Sequence, residues 1–124
     1  MRYETIKLIN NYKKNNSIII GVDFDDTIFA FSNDEYIIKR CKKVVELLKS
    51  LSMNITICLY SVADSQSLIY KEHIMDLYGI KPSYINKSPV SWGSCNKPYF
   101  NILLDDKAGL NETIEILTEF KENL

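Results

Sequence analysis

Ile18-Ile19-Ile20-Gly21-Val22-Asp23-Phe24-Asp25-Asp26-Thr27-Ile28 is the stretch that decides the fold. Its β-branched opening favours a buried strand, and three carboxylates follow within four residues, where that strand leaves the core. At roughly 5 Å separation and an effective dielectric near 20, each carboxylate pair repels by about 3 kcal/mol, a sizeable fraction of a domain's net stability. A fold keeps such a cluster most readily when a cation offsets it.

Working outward, the flanking residues alternate between strand and helix patterns. Upstream, Ile6, Leu8 or Ile9, and Tyr12 recur at helical spacing over residues 3–14, and Asn15-Asn16-Ser17 breaks the helix. Downstream, Asn33-Asp34 signals a helix start, and residues 35–51 place Ile37, Ile38, Cys41, Val44, Val45 and Leu48 on one stripe. Lys39, Arg40, Lys42, Lys43, Glu46 and Lys49 fill the other, read as the solvated face of the helix. Residues 53–60 form a second buried strand ending at Ser61, and Asp64 or Ser65 caps a third helix that turns Leu68, Ile69, Met75 and Tyr78 inward and stops at Gly79. A short strand at 83–85, a loop at 86–98 rich in Ser, Pro, Gly and Asn, and a strand at 99–104 ending in Asp105-Asp106 come next. Asn111 caps the last helix, whose Ile114, Leu117 and Phe120 face the core.

This alternation with short connections predicts an α/β fold: three layers, α/β/α and Rossmann-like, around a mainly parallel sheet. The 124 residues make a single domain, 1–124, with the helix of residues 1–16 packing on or extending the core. In parallel sheets ligands bind beyond the carboxyl ends of the strands, so the acidic clusters at 23–26 and 105–106 are expected to meet there. A formal net charge of −1 supplies no global basic field for nucleic acid. Cys41, Cys58 and Cys95 are odd in number and lack zinc-ligand spacing, which suits reduced thiols and a cytoplasmic setting. No apolar run approaches membrane-spanning length, and the polar start Met1-Arg2-Tyr3-Glu4 lacks a signal-peptide core.

The chain resembles the haloacid-dehalogenase-like (HAD) phosphohydrolases. Asp23-Phe24-Asp25-Asp26-Thr27-Ile28 fits their first motif, Asp-x-Asp-x-Thr after an apolar strand; Ser61 fits the second, Lys97 the third, and Ile102-Leu103-Leu104-Asp105-Asp106 the fourth, in the right order. The resemblance implies a Mg²⁺-dependent phosphatase working through an aspartyl-phosphate. Asp23 would be the nucleophile and Asp25 the general acid and base. Mg²⁺ would take oxygens from Asp23, the backbone carbonyl of Asp25, and Asp105. Ser61 and Lys97 would contact the phosphoryl group, with Lys81 and Lys87 as alternatives for the lysine, and Asp106 would orient the surrounding shell. Asp26 reads as a solvent-facing turn residue, Thr27 as a backbone-bonding residue of the turn, His73 as a bystander, and Trp92 as an anchor of its loop.

Residues 29–34 and the 86–98 loop are both too short for the cap domain that closes over small substrates in the larger members. The resemblance is therefore to small capless members found in bacteria and phages, whose open sites take macromolecular phosphates or borrow a lid from a second subunit through oligomerisation. Phosphorylated small molecules and nucleotides also fit. Two other readings stand beside this one. A non-catalytic metal- or phosphate-sensing module would need no acid at Asp25; a nucleic-acid end-processing phosphatase would need the basic stripe of residues 39–49 or Lys13-Lys14 to face the same edge as Asp23.

Overall fold

The computed structural model describes residues 1–90 and 99–124. Its elements are α1 (Tyr3–Asn15), β1 (Ile18–Asp23), α2 (Glu35–Ser50), β2 (Ile55–Tyr60), α3 (Ser65–Leu77), β3 (Tyr84–Ile85), β4 (Ile102–Leu104) and α4 (Leu110–Asn123). The four strands form one sheet in the order β3-β2-β1-β4, and every pairing is parallel. Helices flank this sheet, an α/β arrangement consistent with the three-layer Rossmann-like fold expected from the sequence. Among the described residues no helix is long and apolar enough to cross a membrane.

β1 is the keystone because it pairs along its whole length with β2 and over half of it with β4, more than any other strand. It runs against β2 from Ile18↔Ile55 to Asp23↔Tyr60 and against β4 from Ile20↔Ile102 to Val22↔Leu104. Its even-numbered residues Ile18, Ile20 and Val22 are fully buried in a core that includes Leu59, Leu104, Val44, Met75, Ile114, Leu117 and Phe120. On the opposite face Gly21 leaves room for Phe100 and Leu103, whose side-chain carbons lie 3.1 Å from where a Cβ would stand. The parallel register brings the carboxyl ends of β1, β2 and β4 to one edge, which is where the acidic residues emerge.

The helix ends follow local chemistry. Asp34 accepts the backbone N–H groups of Tyr36 and Ile37 and so caps α2; Asp64 accepts that of Ser67 and caps α3. Gly79, at φ +79°, stops α3: its N–H goes to the carbonyl of Asp76 and that of Ile80 to Met75. For α4 the expected cap at Asn111 is wrong. Gly109, at φ +66°, takes that position without a side-chain bond, and Asn111 instead donates to the Tyr36 hydroxyl at 2.7 Å. A glycine able to enter the left-handed region starts the helix two residues earlier than an Asn cap would.

Three expected inward residues also differ. Ile6, Ile38 and Ile69 are exposed, while Leu47 in α2 and Lys71 in α3 are buried. In α3 the buried stripe is Lys71, Ile74 and Met75, which turns Ile69 to solvent. β4 is shorter than expected, because Asn101 bonds Ile19 twice, through its own N–H and its side-chain oxygen, and these contacts replace regular pairing.

Gly79→Ala is expected to cost about 1 kcal/mol, since a Cβ in the left-handed region is strained while the space around it is ordinary. Urea unfolding followed by circular dichroism measures it; an unchanged midpoint would show that the α3 stop does not depend on glycine.

Candidate functional site

The loop after β1 is built on the carbonyl of Phe24, which accepts the N–H groups of Thr27, Ile28 and Phe29. Phe24 and Ile28 are buried and anchor it, and Asp26 takes the left-handed conformation (φ +59°) that aspartate tolerates. Asp23 is held at the strand end and Asp25 is thrown outward. Asp26 caps the loop locally, its Oδ1 accepting the N–H of Phe31 at 3.0 Å.

Thr27 joins this loop to the one after β4. Fully buried, it donates through Oγ1 to Asp23 Oδ2 at 3.3 Å and accepts the backbone N–H of Asp106 at 2.9 Å. The expected backbone bond is real, but it reaches a turn 79 residues away and not the residue's own. Asp23, Asp105 and Asp106 can each bring a carboxylate oxygen within 4.8 Å of the others. The two acidic clusters therefore share one site.

Asp106 belongs to this trio, whereas the sequence reading left it outside the ligand set. Thr27 is the reason, because its bond to the Asp106 N–H draws that residue against Asp23. The Asp25 side chain is not among the three; it pairs with Lys71, whose Nζ lies 3.1 Å from its Oδ1.

Lys71 contacts two of the site residues and was not singled out from the sequence. From the inner face of α3 its ammonium donates to Ser61 Oγ at 2.7 Å, pairs with Asp25 and lies 5.2 Å from the centre of the Phe24 ring. Its side chain is only 10% exposed. A lysine on the stripe that otherwise carries Ile74 and Met75 costs desolvation unless a partner awaits it, and this was the available sequence signal. Of the three lysines considered from sequence, Lys97 lies outside the described residues, as do Trp92 and most of the 86–98 loop. Lys81 lines a separate cleft with His73 and Asp76. Lys87 follows β3 beyond Asn86, and its carbonyl accepts a long bond from the Tyr60 hydroxyl at 3.5 Å.

Ser61 is fixed by its backbone. Its N–H donates to Asn86 Oδ1 and its carbonyl accepts from Asn86 Nδ2, both at 2.8 Å, which clamps the end of β2 to the end of β3. The resulting cleft, about 430 Å³, is lined by Asp23, Asp25, Ser61, Asp105, Asp106 and Lys107, with exposed Phe31 and Val62 at its rim. A larger cleft of about 540 Å³ between α2 and α3 is mostly apolar and holds no comparable cluster.

Burial, the hydrogen bond with Asp106 and the negative charge of Asp105 and Asp106 push the Asp23 carboxyl up to about 7 from its ordinary 3.8. Three hard carboxylate oxygens converging at strand ends fit a divalent cation such as Mg²⁺, with coordination completed by water and a substrate oxygen.

No family model matches the sequence, and no curated protein matches it. Among solved structures, one described as a conserved protein from Bacteroides thetaiotaomicron superposes with a TM-score of 0.57 at 20% identity, covering 84% of this chain and 92% of its own. At that identity the likeness establishes the shared α/β fold.

Two outcomes follow for the metal-free chain. A carboxyl raised in the folded state binds its proton more tightly there than in the unfolded chain, so its contribution to stability is lost as pH rises from about 4 to about 7. Thermal melts in chelator should show this decline, and Mg²⁺ should abolish most of it; an identical pH profile for Asp23→Asn would refute the assignment. Thr27→Val leaves the Asp106 N–H without its partner and should cost about 1–3 kcal/mol. It should also weaken Mg²⁺ binding measured by calorimetry, and unaltered binding would show that the bridge does not shape the site.

Proposed function

We propose that the chain is a Mg²⁺-dependent phosphomonoester hydrolase of the HAD-like type that works through an aspartyl-phosphate. One observation carries the reading: Asp23, with Asp105 and Asp106 beside it, shares a cleft with Asp25 and Ser61, and the buried Lys71 contacts both of these. Carboxylates for a cation, a second acid two residues from the nucleophile and a cationic phosphate cradle are the parts that phosphoryl transfer by a carboxylate requires.

Asp23 uses a carboxylate oxygen to attack phosphorus, and the bond from phosphorus to the ester oxygen breaks. Protonated Asp25 delivers its proton to that leaving oxygen. As a carboxylate, Asp25 then takes a proton from water, whose oxygen attacks phosphorus; the bond to Asp23 breaks and inorganic phosphate leaves. Asp23, Asp105 and Asp106, with the backbone carbonyl of Asp25, would hold Mg²⁺, which offsets their mutual repulsion, keeps Asp23 ionised and draws charge from the phosphoryl oxygens.

We assign the phosphoryl contact to Lys71; Lys97, given that role from the sequence, lies outside the described residues. The Lys71 ammonium, already on Ser61 Oγ and Asp25, meets an incoming phosphoryl oxygen beside Ser61 and neutralises the charge that builds up there. Being buried, it acts through little intervening water, which strengthens the contact.

An aryl phosphate assay tests this reading. Turnover should require Mg²⁺ and stop with chelator. Asp23→Asn should lose about 10³-fold or more in kcat, and Lys71→Met about 10²-fold. Asp25→Asn should impair alkyl esters, whose leaving oxygen needs a proton, far more than aryl esters. Wild-type turnover no faster than that of Asp23→Asn on every phosphate ester tried would end the proposal.

A further inference from the structure

Another groove, of about 360 Å³, runs between α2 and α4, lined by Tyr36, Lys39, Arg40, Lys43, Asn111, Ile114 and Glu115. Both helices begin directly after the loops that carry the site carboxylates, and the bond from Asn111 to the Tyr36 hydroxyl ties their first turns together. The first-turn residues Tyr36 and Asn111 therefore lie toward the edge of the sheet where the strands carrying Asp23 and Asp105 end, and Lys107 lines the acidic cleft at that edge.

Charge in the groove is unbalanced. The acid lining it, Glu115, pairs with Arg2, whereas Lys39, Arg40 and Lys43 form no salt bridge among the described residues. Arg40 lies 5.3 Å from the centre of the Tyr36 ring, and its Nε is buried without a hydrogen-bond partner. Tyr36 itself is 56% exposed. Three cations beside an exposed aromatic ring match a chain of phosphates whose bases can stack.

We infer that this groove binds single-stranded nucleic acid and leads its terminal phosphate into the acidic cleft, so that the substrate class is an end-phosphorylated oligonucleotide. This rests on the phosphatase reading for its chemistry, but binding in the groove stands on its own residues. The long positive stripe of α2 acquires a role here: its Lys39, Arg40 and Lys43 line the groove against α4, a helix that starts just after Asp105 and Asp106.

Fluorescence anisotropy of the full chain with a labelled single-stranded 12-mer, phosphorylated at the 5′ or the 3′ end, tests the groove without turnover. Three phosphate contacts predict a slope of log affinity against log salt near −2, or roughly a twentyfold loss between about 50 and 200 mM salt. The triple variant Lys39→Gln, Arg40→Gln, Lys43→Gln should flatten that slope, and its circular dichroism verifies the fold. Tyr36→Ala should weaken the oligonucleotide about fivefold or more and leave inorganic polyphosphate unchanged, with Tyr36→Phe restoring affinity. In turnover, the triple variant should lower kcat/KM about tenfold more on the oligonucleotide than on an aryl phosphate.

Equal affinity of wild type and triple variant would overturn the inference, and so would a Tyr36→Ala effect shared by polyphosphate. Absence of hydrolysis on both substrates would overturn the phosphatase reading instead, leaving anisotropy to decide the groove.

Discussion

Three carboxylates that can approach within 4.8 Å of one another are the constraint around which this molecule is arranged. Like charges repel at that distance, and partial burial deepens the cost by removing water that would screen them. The protein does not avoid the cost. Parallel pairing of β1 with β4 carries Asp23 and Asp105 to the same edge, and the Thr27 hydroxyl then binds both loops together from beneath. Burial, the hydrogen bond with Asp106 and the charge of Asp105 and Asp106 push the Asp23 carboxyl up to about 7, so a proton is held there more tightly than on an isolated carboxyl.

Positive charge is distributed around this cluster at two depths. Lys71 is buried, bonded to Ser61 and Asp25 and laid over Phe24, so its position is set by packing as much as by charge. A group held in this way supplies an oriented cation with little reorganisation, which is what stabilising a phosphoryl group demands. Lys39, Arg40 and Lys43 lie further out, in a groove where water screens them more. Cations there steer and hold a polyanion but do little to a reacting atom. The proposed chemistry and the proposed substrate class therefore draw on different lysines.

Helix placement shows how local rules and tertiary context divide the work. Asp34 and Asp64 cap α2 and α3 as their side chains predict, because an N-cap bond spans only two or three residues. Asn111 looked equally suitable for α4, yet Gly109 precedes it with the backbone freedom to turn earlier, and Asn111 is left to bond Tyr36 across the groove. The sequence reading weighed only the Asn cap, and the backbone freedom of Gly109 started the helix earlier.

From the sequence alone, the strand–helix alternation, the parallel sheet and the meeting of the two acidic clusters were legible, because hydrophobic period and strand-end charge are local and parallel topology leaves few ways to combine them. The same reading named Asp23, Asp25, Ser61 and Asp105, all of which line one cleft. Only the tertiary structure shows Lys71 against Ser61 and Asp106 beside Asp23. Lys71 is ten residues from Ser61 and reaches it because α3 packs against the sheet; Asp106 joins Asp23 because a buried hydroxyl 79 residues earlier holds its N–H. Contacts between distant segments depend on how helices seat on the sheet, and no spacing within a motif encodes that geometry.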